Sequence, residues 1–409
     1  MTRRTFVTVG AGQTAAVAAR TLRRRGFDGR IVLIGDESHA PYQRPPLSKE
    51  FLAGHDTAES LQLLPADWLA RNDVEIMSGV DVTRIDTATR AVQFADGTTL
   101  AADAVLLATG GRPRRMATAG PRPDLVHYLR HLDDARRLQT ALRPGRRLIL
   151  IGAGFIGLEI AATARRLGVE VTIVEGAAQP LTALIGARLG ELFTLLHRDN
   201  GVDVRTGVAV ASLRTTDTGV VVELASGAVV NGDLAVVGIG LLPNDDVAAA
   251  SGLPVDGGVV VDAQGRTPVG NVYAAGDVAR RYSPRAGRHV RVEHFDNANK
   301  QGIAVANAML GRDAVSDEAN WCWSDQYDRN FQFLGAASPH LVIRGDLDAL
   351  DFTAFFLDGG AICGAFAAER GEDVMVAREL LGRTVDADVL ADEDTDLWDH
   401  VVDSEEAVH

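Results

Sequence analysis

The stretch Gly10-Ala11-Gly12-Gln13-Thr14-Ala15 decides how this chain is read, because of what stands on either side of it. An apolar run at 6–9 leads into it, a helix-compatible stretch follows, and a second apolar run at 31–34 leads to Asp36. Strand, glycine turn, helix, strand and acid together are the pattern of a βαβ unit that takes a dinucleotide. The glycines allow a tight turn and let the backbone approach a pyrophosphate. The helix N-terminus faces the anion, and the acid accepts hydrogen bonds from ribose hydroxyls. The pattern recurs at Gly152-Ala153-Gly154-Phe155-Ile156-Gly157, between the runs 148–151 and 171–174, and leads to Glu175. Two complete units predict two nucleotides on one polypeptide, and redox chemistry between them.

The halves match beyond their turns. Residues 95–110 align without gaps on 225–240, pairing Gly97 with Gly227, Asp103 with Asp233 and Gly110 with Gly240. Duplication of one nucleotide-binding unit explains this shared order. Gly111-Arg112-Pro113 marks the exit from the first copy and Leu241-Leu242-Pro243-Asn244 the exit from the second. The expected fold is α/β: two Rossmann-like domains, one of them discontinuous, plus a C-terminal α+β domain. The expected boundaries are 1–112 with 245–320, then 113–244, then 321–409. In the last domain short strands are expected at 331–334, 341–343, 352–357 and 362–367, and a helix at 373–381.

Composition narrows the class. At 409 residues, with 46% hydrophobic residues and 42 glycines, the chain suits an α/β protein rich in tight turns. No run of eighteen apolar residues predicts a membrane span, and the early first strand leaves no room for a signal peptide. Two cysteines, Cys322 and Cys363, lack CxxC spacing. They suggest no metal site and a reducing, cytoplasmic setting. The formal charge of −14 is local: ten acids and no Lys or Arg lie in 386–409, and without them the charge is −4. That tail is expected to be a solvated, partly frayed end, and a nucleic-acid partner is not expected. Of 41 cations 39 are Arg, so Lys49 stands out beside Lys300. A compact ammonium does what a guanidinium cannot.

Lys49 ends the segment Pro41-Tyr42-Gln43-Arg44-Pro45-Pro46-Leu47-Ser48-Lys49, whose prolines predict a rigid, extended backbone. Such a segment suits the fixed placement of Arg44 and Lys49; a surface loop before a helix is the plainer alternative. With the glycine turn before it, GAGFIGLE at 152–159, AAGDVA at 274–279 and Arg291-Val292-Glu293-His294, this segment resembles the FAD-dependent, NADH-using ferredoxin reductases of the putidaredoxin reductase type. Apoptosis-inducing factor shares their architecture. The resemblance extends to Trp321-Cys322-Trp323-Ser324-Asp325-Gln326-Tyr327 near the C-terminus.

The resemblance implies FAD at the first site. Gly10, Gly12 and Ala15 would face its pyrophosphate, and Asp36 its ribose, with Glu37 as a fallback. Arg44 and Lys49 would lie along the flavin. Asp277 would bond the ribityl and pyrophosphate region near a helix N-terminus; a simple helix cap is its plainer reading. NADH falls to the second site, with Gly152, Gly154, Gly157, Glu175 and Gly240. Glu175 disfavours a 2′-phosphate, and Gly176-Ala177-Ala178-Gln179 offers no cation to receive one. Glu159 would lie near the nicotinamide and pair with Lys49, while Phe155 would cover the flavin face.

Hydride transfer needs no general acid or nucleophile from the protein. The first 321 residues hold no cysteine, which excludes thiol chemistry at a flavin. Trp323, with Trp321, is implied as the electron exit. An arginine-rich segment, Arg280, Arg281, Arg285, Arg288 and Arg291, suits docking of an acidic [2Fe–2S] ferredoxin that feeds a cytochrome P450 or ring-hydroxylating oxygenase. A solvated loop is its alternative. The rival functions are an NADH-responsive interaction protein of the apoptosis-inducing-factor type and a rubredoxin reductase. A monomer is the expected state.

Overall fold

The structure is a computed structural model that describes residues 3–313, 315 and 317–402. Asp403, Glu405 and Glu406 of the acidic tail lie outside the described residues. The chain forms two compact units. One is built from the chain up to Pro45, Thr57–Arg112 and Leu241–Glu318; the other from Pro46–Asp56, Pro113–Gly240 and the chain from Ala319 onward.

The first unit is organised by a parallel sheet in the order Val272–Ala274, Ala104–Leu107, Thr5–Val9, Arg30–Gly35, Val74–Ser78. Its central strands are near-continuous apolar runs, as expected of strands covered on both faces. On one face Leu33, Leu106 and Phe6 pack against Ala15, Ala19 and Leu22 of the helix Gln13–Arg24 and against Val305 and Ala308 of the helix Phe295–Met309. These helices cross closely at Gly302, where a Cβ would sit 2.9 Å from the Thr14 carbonyl oxygen. On the other face Val7, Val32 and Val105 pack against Ile85 and Val92 of a meander, Val82–Asp86, Ala91–Phe94 and Thr99–Ala101.

The second unit repeats this plan. Its parallel sheet runs Val126–His127, Leu234–Val237, Arg147–Ile151, Glu170–Val174, Asp203–Arg205. Its meander is Val210–Thr215, Val220–Leu224, Val229–Gly232. The same residue locks each copy. Asp103 exchanges hydrogen bonds with the backbone of Thr5 at 2.7 Å in both directions, and Asp233 does so with Arg147 at 2.8 Å. The unit also carries an antiparallel sheet, Trp321–Gln326, Arg329–Gly335, Ala361–Ala368, Asp351–Asp358, His340–Asp346. Period-two alternation gives it two apolar faces. Phe331, Phe333, Phe352 and Phe366 line one, and Leu334, Phe355 and Ile362 turn to the other, under the helix Gly371–Leu380.

Two expectations are corrected here. The segment 41–49 is not extended throughout, since Pro45–Ser48 is a 3₁₀ turn leading to the helix Glu50–Ala53. Proline suits the start of a helical turn, where its missing N–H is not needed and its φ is preset. The acidic tail is not a solvated end through its described part. Leu390 and Leu397 are buried, Arg344 donates to the backbone carbonyls of Asp392, Glu393 and Thr395, and Arg370 pairs with Glu393 at 2.5 Å. The acids stay at the surface while two leucines reach the core, a pattern that the net charge hides.

Candidate functional site

In the first unit the glycine turn is built by steric necessity. Gly10 donates to the Ile34 carbonyl at 2.7 Å and has φ +111°, and a Cβ there would lie 2.1 Å from the Ala108 oxygen. Only glycine fits. Gly12, the N-cap of the helix Gln13–Arg24, is the reverse case, because a Cβ there meets nothing within 4 Å. The turn is closed from behind and open in front of the helix N-terminus, where the first N–H groups of a helix have no intrahelical partner and can receive an anion. Ala15 is fully buried below it.

Asp36 stands exposed just past its strand, with no side-chain partner among the described residues. Glu37, the fallback, is engaged. It pairs with Arg44 at 2.6 Å and accepts from the Tyr42 hydroxyl at 2.5 Å. Arg44 in turn lies 5.1 Å over the Tyr42 ring. Of the two acids, Glu37 is engaged and Asp36 stands exposed.

Asp277 is not a helix cap, since its turn leads into the strand Ala279–Ser283. Its neighbour Gly276 (φ +79°) sits against Thr14, where a Cβ would come 2.4 Å from Oγ1. Asp277 thus lies beside the N-terminus of the helix Gln13–Arg24. Burial holds the adjacent His294 imidazole below its usual range, against the opposing charges of Asp277 and Asp296.

The second turn has the same mechanics. Gly152 donates to the Val174 carbonyl at 2.9 Å, has φ +100°, and would place a Cβ 2.3 Å from the Gly238 oxygen. A Cβ at Gly154 meets nothing within 4 Å, and one at Gly157 would strike the Gly152 oxygen at 2.4 Å. Gly240, at φ +104°, is also open. The Glu175 carboxylate accepts from the Ala153 N–H at 2.6 Å and the Ala177 N–H at 2.7 Å, which ties the acid to the turn. The Gln179 side-chain oxygen accepts from Thr194 at 2.7 Å. No side-chain cation stands in 176–179, so Glu175 is the one charged residue of 175–179.

Glu159 lies on the helix Phe155–Arg166 and is 4% exposed. Lys49 Nζ is 2.9 Å from its Oε1, the Ser324 hydroxyl donates to Oε1 at 2.7 Å, and the Ser48 hydroxyl donates to Oε2 at 2.5 Å. The Ser48 carbonyl accepts from Thr163 at 2.9 Å, which fixes the 3₁₀ turn on the same helix. A buried carboxylate with both oxygens satisfied and one cation beside it is a fixed acceptor, held in one orientation. Lys49 and Glu159 are thus brought together in the second unit, while Arg44 belongs to the first. Phe155 is half-buried at the helix start, against the core of this unit.

Trp321 and Trp323 stack at 5.3 Å, both half-buried, and Trp321 donates to Gln332 at 3.1 Å. In the first unit the arginine-rich segment forms the strands Ala279–Ser283 and Arg288–Val290. Acids from elsewhere answer part of its charge: Arg280 pairs with Asp256 at 2.8 Å, and Arg291 with Glu293. Arg281 is half-buried, and burial lowers its affinity for its proton. Arg285 holds the Asp317 loop, and Arg288 is exposed.

Sequence reasoning missed Ser48, Ser324, Gln326 and His197 as members of the Glu159 cluster. A signal was present in 321–326, where Cys322, Ser324 and Gln326 alternate with Trp321, Trp323 and Asp325. Two polar residues in register with a buried cysteine on one face of a strand require partners inside.

Residues 4–302 match the pyridine nucleotide-disulphide oxidoreductase family, and residues 321–401 match the reductase C-terminal family. The chain is 37% identical to rhodocoxin reductase of Rhodococcus erythropolis over 397 residues, 96% of this chain and 93% of that protein. It is 40% identical to the ferredoxin–NAD(+) reductase component of the anthranilate 1,2-dioxygenase system of Burkholderia cepacia, covering 95% of this chain and 97% of that one. Among solved structures, the covalent putidaredoxin reductase–putidaredoxin complex matches with a TM-score of 0.93 at 34% identity, over 99% of both chains.

Proposed function

Because this chain belongs to the pyridine nucleotide-disulphide oxidoreductase family and its relatives are ferredoxin–NAD(+) reductases, we propose that it passes electrons from NADH through FAD to a [2Fe–2S] ferredoxin. The ferredoxin then supplies a cytochrome P450 or a ring-hydroxylating oxygenase. The observation that carries this reading is the pair of glycine turns. Each is closed behind its first glycine and open at its second, and no cysteine lies anywhere in the matched 4–302. Two nucleotide cradles without a thiol fit electron transfer rather than disulphide chemistry.

FAD, when bound, accepts the two electrons of a hydride together and releases them singly, which suits a one-electron acceptor. Gly10, Gly12 and Ala15 hold its pyrophosphate at the helix N-terminus, Asp36 takes its ribose, and Arg44 and Asp277 complete the site. Gly152, Gly154, Gly157 and Gly240 cradle NADH. Glu175 takes both ribose hydroxyls and, with Gln179 in place of a cation, selects NADH over NADPH. Glu159 would orient the carboxamide, Lys49 would compensate its charge and tune the flavin, and Phe155 would cover the flavin face. Trp323 is the exit. On the arginine hairpin, Arg288 is the strongest docking candidate, because Arg280 and Arg291 already have acids, Arg281 is half-buried and Arg285 holds the Asp317 loop. The protein works as a cytoplasmic monomer with three functional segments, 1–112 with 245–320, 113–244 and 321–409.

Anaerobic titration of the FAD-reconstituted protein tests the reading. Stoichiometric bleaching of the flavin by NADH, and far slower bleaching by NADPH, is the expected result. Equal rates with the two would contradict the role given to Glu175.

A further inference from the structure

A line of side chains runs away from Glu159 that nucleotide binding does not use. The Ser324 hydroxyl donates to Glu159 Oε1 at 2.7 Å, and Gln326 Nε2 donates to Ser324 Oγ at 3.1 Å. His197 Nε2 lies 3.0 Å from Gln326 Oε1, and the Tyr327 hydroxyl lies 3.0 Å from His197 Nδ1. Ser324, Gln326 and His197 are all at most 1% exposed. Glu159 and His197 come from two helices, Phe155–Arg166 and Thr182–Asp199, while Ser324 and Gln326 come from the strand Trp321–Gln326.

The direction of every bond follows from chemistry. A carboxylate only accepts, so Ser324 gives its proton to Glu159. The Gln326 amide nitrogen only donates, so it gives to Ser324, and its oxygen is left to face His197. That oxygen only accepts, so His197 Nε2 carries the hydrogen. A neutral imidazole has a single N–H, so Nδ1 accepts and Tyr327 donates. All four bonds point the same way and end on Glu159. Dipoles arranged head to tail polarise one another, so the line acts on Glu159 as a unit.

Two further observations agree. Burial holds the His197 imidazole at about 4, neutral through the ordinary range, while hydrogen bonding to Gln326 opposes this only in part. Burial likewise raises the Tyr327 phenol above its usual value, against the lowering influence of Arg165 and Arg166, so it keeps its donor proton. The Tyr327 backbone is in the left-handed region at φ +55°, in the short link before the strand Arg329–Gly335. Glycine or asparagine is the ordinary occupant of such a position. What tyrosine supplies there is a hydroxyl that reaches His197 and a ring 5.2 Å from the imidazole. The charged groups at the two ends of the line are Lys49 beside Glu159, and Arg165, Arg166 and Asp328 beside Tyr327, with Arg166 and Asp328 paired at 2.8 Å.

We infer that Tyr327, His197, Gln326 and Ser324 are positioning residues of the nicotinamide site, forming a one-directional hydrogen-bond chain that fixes the Glu159 carboxylate and its ion pair with Lys49. The inference rests on the reading that Glu159 serves the nicotinamide.

The test uses the holoenzyme with ¹⁵N-labelled histidine, the His197 signal being assigned from its loss in His197→Gln. The expected spectrum is the neutral Nε2–H tautomer throughout about pH 6 to 8, and Tyr327→Phe is expected to keep that tautomer, held by the accept-only Gln326 oxygen, while shifting the Nδ1 resonance that has lost its donor. In stopped flow, Ser324→Ala is expected to slow flavin reduction by NADH about tenfold, with Ser324→Thr restoring the rate and flavin content unchanged in both. A cationic or Nδ1–H His197 in the parent overturns the chain. So does a parental rate in Ser324→Ala when Glu159→Gln is slow. If Glu159→Gln itself reduces at the parental rate, the nicotinamide role of Glu159 fails and the inference falls with it, while the tautomer spectrum still reports whether the chain is oriented.

Discussion

Lys49 Nζ lies 2.9 Å from Glu159 Oε1, and the two side chains are 10% and 5% exposed. One of the chain's two lysines is therefore spent on a buried ion pair rather than on solubility. Breaking a buried pair from one side leaves an uncompensated charge and costs about 3–5 kcal/mol. Lys49→Ala is expected to fall in that range by urea unfolding of the apoprotein. Lys49→Ala combined with Glu159→Gln is expected to recover at least half of the loss. Equal losses in the single and double variants would show that the pair does not act as a unit.

The two glycines of the first turn give opposite expectations. Gly10→Ala drives a methyl to 2.1 Å from the Ala108 oxygen, so the apoprotein is expected to be strongly destabilised. Gly12→Ala meets nothing within 4 Å, so the apoprotein is expected to keep its thermal midpoint while losing FAD, because the methyl enters the ligand's space. Differential scanning fluorimetry together with flavin content separates them. Normal flavin in Gly12→Ala would contradict the assignment of the cradle.

The proposed coenzyme choice rests on the Glu175 carboxylate and the lack of a side-chain cation in 176–179. Gln179 holds Thr194 through its side-chain oxygen at 2.7 Å. Replacing Gln179 by Arg, with Glu175→Ser to remove the repulsion, is expected to raise the NADPH-to-NADH ratio of kcat/KM about tenfold or more, equivalent to about 1.4 kcal/mol. An unchanged ratio would place specificity elsewhere.

Acid stability carries the mark of His197. In the folded protein it stays neutral down to about 4, whereas its unfolded value is near 6.5. Between those values the unfolded chain binds the extra proton, so falling pH favours unfolding. The contribution is complete above pH 6.5 and lost progressively towards 4, about 3 kcal/mol in all. His127 and His294, also lowered mainly by burial, add in the same direction. His197→Gln is expected to be less stable than the parent at neutral pH, with the gap in urea midpoint narrowing as pH falls. Parallel curves would contradict it.

What the sequence made legible was local. The glycine turns, the acids after their strands and the matched Asp103 and Asp233 all announce themselves by spacing, because backbone geometry dictates them. The apolar runs 148–151 and 171–174 fall within the strands Arg147–Ile151 and Glu170–Val174, since short aliphatic runs between turns have few alternatives. The 3₁₀ turn at Pro45–Ser48 was not legible, because proline permits both an extended chain and a helical start. Nor was the burial of Leu390 and Leu397 among acids, where charge obscured a two-residue anchor. The chain from Tyr327 to Glu159 was least legible. His197 is separated from Gln326 by 129 residues, and nothing in the amphipathic pattern of the helix Thr182–Asp199 marks its histidine as more than polar.

Electron delivery from NADH to a ferredoxin is read most directly from cytochrome c reduction by the FAD-loaded protein with NADH, with and without [2Fe–2S] ferredoxins from the same source, and with NADPH as control. A large ferredoxin-dependent rate with NADH, reduced by charge reversal at Arg288 and by added salt, is expected. No stimulation by any native ferredoxin, with a reduced flavin that persists in air, would contradict it.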